Sequence, residues 1–469
     1  MKQNPSHRSV LLLHILVAVS LFSFCACKEE PVVEKKPPVV VNPEPDPEQY
    51  GTPYAGVPDP RDATIYQVNI RSFSDGRNFQ GVTARLDSIR ALGVNVIYLM
   101  PVYPVGTLKA INSPYCIKDY RSVNSEFGSL ADLRALIDGA HSRGMAVILD
   151  WVANHTAWDN AWIGNPGWYV TNSSGTIQSP NGWNDVAQLN FANPDMRKAM
   201  IRAMKYWVLT ANCDGFRCDY ADGPPADFWK QALDSLRTIR SHNLLMLAEG
   251  TRANHFNAGF DYTFGFGFYG KLKSVFGAGQ PATGIDELNN SEYTTAGTAN
   301  RVVRYLTNHD VNSSDGTALD LFGGAKGSMA AFVVAAYMKG VPMLYNGQEV
   351  GTNYRLTFPF TGSTIRWNQN QPMVEEYKKI IALRNRSEAI RRGEWSSVST
   401  ADVCAFTKTG ATETVLVVSN VRNSAGSLAL PAALTAKTWK DAFSDIPVSL
   451  PAQLPLAAYE YRVFTTTHD

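Results

Sequence analysis

Residues 146–155 read AVILDWVANH: four apolar residues, an aspartate, and then an asparagine–histidine pair. The run Ala146–Leu149 is continuous rather than alternating, which is typical of a parallel strand that is buried on both faces. When such strands close into a barrel, the active site lies at their carboxyl ends. Asp150, directly after this run, therefore indicates chemistry at that end of a barrel.

Three later stretches repeat the pattern of an apolar run followed by ionisable residues. They are GFRCD (215–219), LLMLAE (244–249) and YLTNHD (305–310). A single carboxylate after a strand is often only the cap of the next helix. Because all three runs would be strands of one barrel, we expect Asp219, Glu249 and Asp310 to meet on the face formed by the carboxyl ends of those strands. Helix capping alone would not require them to meet.

Four segments carry a family resemblance: DWVANH (150–155), GFRCD (215–219), AEG (248–250) and TNHD (307–310). They resemble, in order and spacing, the four signature regions of the α-amylase superfamily, glycoside hydrolase family 13. The resemblance covers roughly residues 59 to 469. It implies an α/β fold: a (β/α)8 TIM barrel with a small domain B inserted after strand 3 and a C-terminal antiparallel β-domain.

The chain pattern divides into matching parts. Strand and helix patterns alternate from residue 59 to 392, as at Val94–Leu99 and Ala131–Arg143, whereas residues 155–188 are rich in Trp, Gly, Asn and Ser. We expect that stretch to be domain B. After the barrel, apolar and polar side chains alternate over residues 403–406, 414–419 and 459–464. This alternation predicts a C-terminal β-sandwich domain over residues 393–469.

The N-terminal sequence is typical of a signal peptide for export. Basic residues precede the apolar run Val10–Phe24, and Ala26-Cys27 follows, so residues 1–27 resemble a lipoprotein signal peptide with Cys27 as the lipidated residue. Residues 28–58 are proline-rich and predict an extended tether. We expect a lipid-anchored protein of the outer membrane or cell surface; cleavage by ordinary signal peptidase, giving a periplasmic or secreted protein, is the alternative.

Composition narrows the function class. The 469 residues include 43 basic and 42 acidic ones, a net charge of +1, which gives no electrostatic case for nucleic acid. The four cysteines beyond Cys27 show no disulfide or metal-ligand spacing, so we expect Cys116, Cys213, Cys218 and Cys404 to be free buried thiols. The family resemblance implies an α-glucan as the partner, and we expect a monomer.

The resemblance implies roles for the residues at the strand ends: Asp219 as nucleophile, Glu249 as general acid and Asp310 as a grip on the sugar hydroxyls. His155 and His309 would donate hydrogen bonds to the same ring, and Tyr115 would stack beneath it. Arg217 lies two residues before Asp219 on one strand face, so we expect it to hold the pKa of Asp219 down. Glu249 follows apolar residues with no obvious cation nearby, which favours its protonated form.

We expect weak or absent dependence of the protein on calcium. Asp150 resembles a structural carboxylate, while Asn154, with Asp185 as partner, occupies the position that in many amylases ligates calcium. Gly223 stands where those enzymes have a histidine, and calcium needs about six to eight oxygen ligands. We therefore expect no required cofactor, with calcium possible.

The predicted function is a retaining, endo-acting α-glucan hydrolase that cleaves α-1,4 bonds of starch, glycogen or maltooligosaccharides. Two alternatives stay open: an α-1,6-cleaving or glucanotransferase relative of the pullulanase or neopullulanase kind, and a non-catalytic glycan-binding surface protein. The residue pattern does not separate α-1,4 from α-1,6 preference.

Overall fold

The computed structural model describes residues 45–296 and 301–467. The segments predicted as signal peptide and tether, including Cys27, lie outside these residues except for the last part of the predicted tether. Within the described range, no helix is long and apolar enough to cross a membrane. The last part of the tether packs on the barrel rather than extending: Tyr50 donates from its backbone to Leu209 O (2.7 Å), and Tyr54 stacks on His141.

A closed barrel organises the first part of the chain. The strands up to this point are β1 (Ile65–Val68), β2 (Val96–Leu99), β3 (Ala146–Trp151), β4 (His155–Ala157), β5 (Val186–Gln188), β6 (Gly215–Cys218), β7 (Leu245–Ala248), β8 (Tyr262–Phe264), β9 (Arg301–Tyr305) and β10 (Val341–Tyr345). All except β4 and β5 are parallel barrel strands, in the order β1-β2-β3-β6-β7-β8-β9-β10, and β10 pairs with β1 to close it. The predicted (β/α)8 fold is confirmed.

Helices surround the barrel and follow its strands. Their bounds are α1 (Ile70–Phe73), α2 (Phe79–Thr83), α3 (Leu86–Ala91), α4 (Leu130–His141), α5 (Pro194–Ala211), α6 (Ala226–Leu236), α7 (Asn254–Ala258), α8 (Phe266–Ala278), α9 (Thr283–Ala296), α10 (His309–Ser314), α11 (Ala318–Leu321), α12 (Gly324–Tyr337), α13 (Gln371–Arg386) and α14 (Glu388–Arg392). The start of α5 shows why sequence predicts such bounds. The Asn193 side chain accepts from the Asp195 and Met196 amides, and Pro194 takes the first turn.

One strand boundary differs from its prediction. The apolar run Tyr305–Thr307 reads as strand, but β9 ends at Tyr305 and α10 begins at His309. The Asn308 side chain accepts hydrogen bonds from the Asp310 and Val311 amides, both at 2.9 Å, which turns the chain out of the sheet into a helix. This cap therefore sets where Asp310 lies.

Residues 155–188 leave the barrel after β3 and carry a small antiparallel ribbon. Strands β4 and β5 pair so that His155 lies opposite Gln188, and a 3-10 helix spans Ala161–Gly164. The ribbon starts directly at the carboxyl end of β3. Its residues therefore border the end of the barrel where the strand-end carboxylates lie.

The C-terminal part is an antiparallel β-structure, as predicted. Its elements are β11 (Glu394–Ser397), β12 (Val403–Thr409), β13 (Glu413–Asn420), β14 (Gly426–Ala429), α15 (Ala432–Thr435), β15 (Trp439–Asp441), β16 (Pro447–Val448), β17 (Gln453–Leu456) and β18 (Tyr461–Thr467). Six strands form one sheet in the order β11-β12-β13-β18-β15-β16, and β14 pairs with β17. One face of the large sheet packs on the barrel core, while Val403, Leu416 and Leu454 belong to a separate core on the other face.

The four predicted free thiols are confirmed. Cys116, Cys213, Cys218 and Cys404 are all buried and unpaired. Burial raises the pKa of each thiol, that of Cys116 to about 12, so they behave as core residues rather than nucleophiles.

Candidate active site

A single arginine organises the carboxylates at the carboxyl ends of the strands. The Arg217 side chain is fully buried, and its Nη1 contacts Asp150 Oδ1 at 2.7 Å and Asp219 Oδ1 at 2.9 Å. Its Nη2 contacts Glu249 Oε1. Barrel register explains the first contact, because Asp150 on β3 lies directly opposite Arg217 on β6.

The predicted pair Asp219 and Glu249 is thus brought side by side. Their carboxylates touch neighbouring nitrogens of one guanidinium, and each side chain keeps 12–13% of its surface exposed. The backbone amide of Tyr220 donates to Glu249 Oε2 at 2.9 Å. Both carboxyls are therefore fixed at the carboxyl ends of their strands while remaining partly exposed.

Asp310 lies in the segment that follows β9 and is more exposed than Asp219 or Glu249. It lies in the first turn of α10, where Asn308 already caps the helix, and 60% of its side chain is exposed. It is therefore not the cap that the simplest interpretation of its sequence position suggests. Its Oδ1 lies 3.3 Å from His309 Nε2, which joins it to the rest of the site.

Arg217 lowers the pKa of Asp219, as expected, but it does not set the net direction of the shift. Burial raises the pKa of Asp219 well above its usual value; Arg217 opposes this, while Glu249, Asp150 and Asp310 add to it. Burial also raises the pKa of Asp150. Burial and the neighbouring carboxylates therefore favour the protonated form of Asp219 more than in an isolated carboxyl group, although Arg217 opposes them.

The expectation that Glu249 has no cation beside it is also wrong, because Arg217 contacts it directly. Sequence reasoning could not find this contact. Glu249 follows β7, and only the closed barrel brings it to an arginine on β6. What separates Glu249 from Asp219 is instead the extra amide donor from Tyr220.

His309 belongs to a chain of hydrogen bonds that the sequence indicated only in part. Its Nδ1 lies 2.7 Å from Gln67 Nε2, and its Nε2 lies 2.7 Å from the Tyr115 hydroxyl. That hydroxyl donates to Asp150 Oδ2 at 3.0 Å. A neutral ring that carries its proton on Nε2 satisfies the whole chain, and burial lowers the pKa of His309 to about 4.

Two members of this network, Gln67 and Tyr98, were missed as site residues. Tyr98 donates to Asp150 Oδ2 at 2.7 Å, and both residues are fully buried on adjacent strands, where they lie opposite each other. The available sequence clue was a glutamine inside the apolar run of β1. Tyr115 is held by its hydroxyl next to His309, with the ring centroids 5.5 Å apart.

His155 lies at the start of β4, paired with Gln188 on β5. It is buried, burial lowers its pKa to about 4, and its ring contacts Trp183 edge-on at 5.8 Å. Trp183 also contacts Tyr220 at 5.2 Å and is 40% exposed. An aromatic surface therefore adjoins the residue that follows Asp219.

The predicted calcium ligand Asn154 is already engaged in hydrogen bonds. Gln188 Nε2 donates to both oxygens of Asn154, at 3.1 and 3.2 Å, and the Asp185 carbonyl accepts from Cys116 Sγ. Among the described residues, no group of three or more Asp, Glu, His or Cys side chains is arranged to hold a metal. Both Asn154 oxygens therefore already accept a hydrogen bond from the Gln188 amide, which disfavours Asn154 as a calcium ligand.

Comparison with known proteins agrees with this geometry. The family model "Alpha amylase, catalytic domain" matches residues 67–167. Alpha-amylase MalA of Haloarcula japonica is 30% identical over 324 residues, covering 65% of this chain and 46% of the relative. Oligo-1,6-glucosidase of Parageobacillus thermoglucosidasius is 31% identical over 199 residues, 34% of each chain. The crystal structure of an alpha-amylase from Lactobacillus plantarum superposes with a TM-score of 0.78 at 25% identity, covering 87% of this chain and 99% of that one.

A closed (β/α)8 barrel with a carboxylate cluster at the carboxyl ends of its strands defines the class, a barrel protein of the glycosidase type. The chain is similar to the α-amylase superfamily, glycoside hydrolase family 13, whose catalytic-domain model matches residues 67–167. It spans about half the length of the Haloarcula relative.

Proposed function

We propose that this protein is a retaining, endo-acting α-glucan hydrolase that cleaves α-1,4-glucosidic bonds of starch, glycogen or maltooligosaccharides. The observation that carries the proposal is the contact of one buried guanidinium with both Asp219 and Glu249. Retaining glycosidases need two carboxyls about 5–5.5 Å apart, one to attack and one to protonate. Two carboxylates on neighbouring nitrogens of Arg217 are suited to that separation.

The reaction follows from these positions. Glu249 transfers a proton to the glycosidic oxygen as the bond from that oxygen to the anomeric carbon breaks, and Asp219 forms a bond to the same carbon. Water then attacks the glycosyl ester; Glu249 takes its proton and Asp219 leaves as a carboxylate, so the configuration is retained. Arg217 stabilises Asp219 in the ionised state that attack requires.

Substrate positioning falls to the residues around this pair. Asp310, which is exposed, is suited to accept hydrogen bonds from sugar hydroxyls. His309 donates its one proton to the Tyr115 hydroxyl and so positions Tyr115, which provides an aromatic face for the sugar, and His155 lies beside Trp183. Asp150, fully buried, holds Arg217, Tyr98 and Tyr115 rather than touching substrate.

Exposed apolar side chains support action within a long chain. Several lie on segments that leave the carboxyl ends of barrel strands and thus border the cleft: Leu108, Ile111, Trp183, Phe266 and Phe358. Apolar and aromatic surface of this kind suits the flat faces of successive glucose rings. We propose that residues 155–188 act as domain B and form one wall of that cleft.

A second candidate is cleavage of α-1,6 bonds, which is favoured by the similarity to an oligo-1,6-glucosidase. Amylose, pullulan and maltotriose separate the two. Internal cleavage of amylose with no action on the α-1,6 links of pullulan supports the proposal. Cleavage of pullulan at its α-1,6 links supports the alternative. No product from any of them would favour a glycan-binding protein without turnover.

We further propose that the protein is anchored to the outer membrane through Cys27. The proposal rests on the sequence Ala26-Cys27 at the end of an apolar run. Cys27→Ala should move the protein from the membrane fraction to the soluble fraction. Unchanged fractionation would exclude lipidation at this cysteine.

A further inference from the structure

The turn that follows Asp219 has an unusual backbone. Tyr220 has φ of +41°, in the left-handed region that non-glycine residues seldom adopt. In this conformation its amide donates to Glu249 Oε2 at 2.9 Å, and the next amide, of Ala221, donates to the Glu249 backbone carbonyl at 2.9 Å. The strained residue thus holds Glu249 through main-chain contacts.

Gly223 makes room for this conformation. A Cβ atom at position 223 would lie 2.6 Å from the Tyr220 ring and 2.4 Å from Asn154 Oδ1, both closer than real Cβ contacts. The φ of Gly223 is not in the left-handed region, so the need for glycine here is a need for space. The Tyr220 ring is supported from outside by Trp183.

The far side of the turn is fixed as well. Asp222 Oδ1 lies 2.6 Å from His255 Nε2 and accepts from Arg252 Nε at 3.1 Å. His255 and Arg252 belong to the segment that follows Glu249. The turn and this segment therefore hold each other, with Glu249 between them.

The Tyr220 amide differs from Arg217 as a partner for Glu249. A guanidinium favours only the ionised carboxylate, whereas an amide N–H can bind the carbonyl oxygen of a protonated carboxyl group. When Glu249 carries the proton it must deliver, the contact with Arg217 weakens and the amide contact to Oε2 stays. The amide can therefore orient the acid in the state that donates.

We propose that Tyr220 is a positioning residue for the general acid, held in its strained conformation because Gly223 leaves space for its ring. This rests on the proposed function, since it assigns a role within the same cleavage reaction. The turn after Asp219, residues 220–223, is also joined to the 155–188 segment by side-chain contacts. Gln188 contacts Asn154, Asn154 contacts Gly223, and Gly223 contacts Tyr220.

Gly223→Ala tests the proposal against two substrates that differ in their need for acid. Maltotetraose has a sugar leaving group that must be protonated, whereas α-maltosyl fluoride needs little protonation. We expect kcat on maltotetraose to fall about 10- to 100-fold, since a misplacement of about 1 Å costs that much. On the fluoride, kcat/KM should stay within about threefold, because it reports formation of the glycosyl ester, in which fluoride leaves with little protonation and the nucleophile is untouched.

Gly426→Ala is the matched control, because a Cβ at that distant position meets nothing within 4 Å and should change neither rate. A second pair keeps the test independent of how Gly223→Ala folds. Tyr220→Gly tolerates positive φ and should keep the wild-type ratio of the two rates, whereas β-branched Tyr220→Val should lose it.

Equal losses on both substrates, or no loss on either, would overturn the positioning role while leaving the hydrolase intact. A wild-type protein inert on both substrates would instead refute the proposed function itself. The two failures are therefore distinguishable in one set of measurements.

Discussion

Replacing Arg217 with methionine probes how the site is held together. The guanidinium is fully buried against Asp150 and also contacts Asp219 and Glu249, and methionine removes the charge while keeping an apolar chain. Removing one partner of a buried ion pair costs about 3–5 kcal/mol, because the remaining charges stay uncompensated. At ~2.1 cal/mol/K per residue, the roughly 420 described residues give an unfolding entropy of ~0.9 kcal/mol/K, so Tm should fall by about 3–6 °C at pH 7.

This deficit should shrink as the pH falls from 7 to 5. Burial already raises the pKa of Asp150 and Asp219, and loss of Arg217 raises both further. The folded variant then binds more protons than the unfolded chain in this window, so acidification favours the folded state. Calorimetry at several pH values measures the effect.

Arg143→Met is the control for this experiment. Arg143 pairs with Asp87 at the surface, at 2.6 Å and with 34% and 82% of the two side chains exposed. Such a pair contributes about 0–1 kcal/mol, so Tm should change by no more than ~1 °C. If Arg217→Met behaved like this control, or showed the same deficit at pH 5 and pH 8, the view that one cation holds the carboxylate cluster would be wrong.

Three further expectations concern chemistry, pH and metal. Asp219→Asn should lower kcat by orders of magnitude in a folded protein, and Glu249→Gln should do so on sugar leaving groups but much less on α-maltosyl fluoride; more than about a tenth of wild-type activity in Asp219→Asn would exclude it as nucleophile. Burial lowers the pKa of His309 to about 4 from an ordinary 6.5, so the stability it confers is present above pH 6.5 and lost as the pH falls toward 4; wild type should lose about 3 kcal/mol more than His309→Gln over that window, and equal losses in denaturant titrations would contradict this. Millimolar calcium should leave Tm close to its value in EDTA, whereas a tight site would add about 3 kcal/mol at a hundredfold excess over Kd; a large rise abolished by Asn154→Ala would show that the site is intact.

The sequence predicts the barrel and the strand-end residues because both follow from local patterns. A continuous apolar run indicates a strand buried on both faces, and the residue after it must lie at the carboxyl end. Asp219, Glu249 and Asp310 could therefore be placed on one face of the barrel from the sequence.

Contacts between different strands could not be predicted in the same way. Which carboxylates Arg217 meets depends on barrel register, and the contact with Glu249 crosses from β6 to β7. Gln67 and Tyr98 are equally hidden, because a polar residue in a buried strand does not say which neighbour it bonds. The packing of Tyr50 on α5 likewise depends on a helix more than 150 residues away.

The anomeric configuration of the first product shows whether Asp219 acts as the nucleophile of a retaining mechanism. Proton NMR during the first minutes of maltopentaose hydrolysis distinguishes α from β reducing ends before mutarotation mixes them. A nucleophilic Asp219 beside an acidic Glu249 predicts that the α-anomer forms first and that Asp219→Asn forms neither. Initial release of the β-anomer, or no new reducing end from the wild-type protein, would contradict the account.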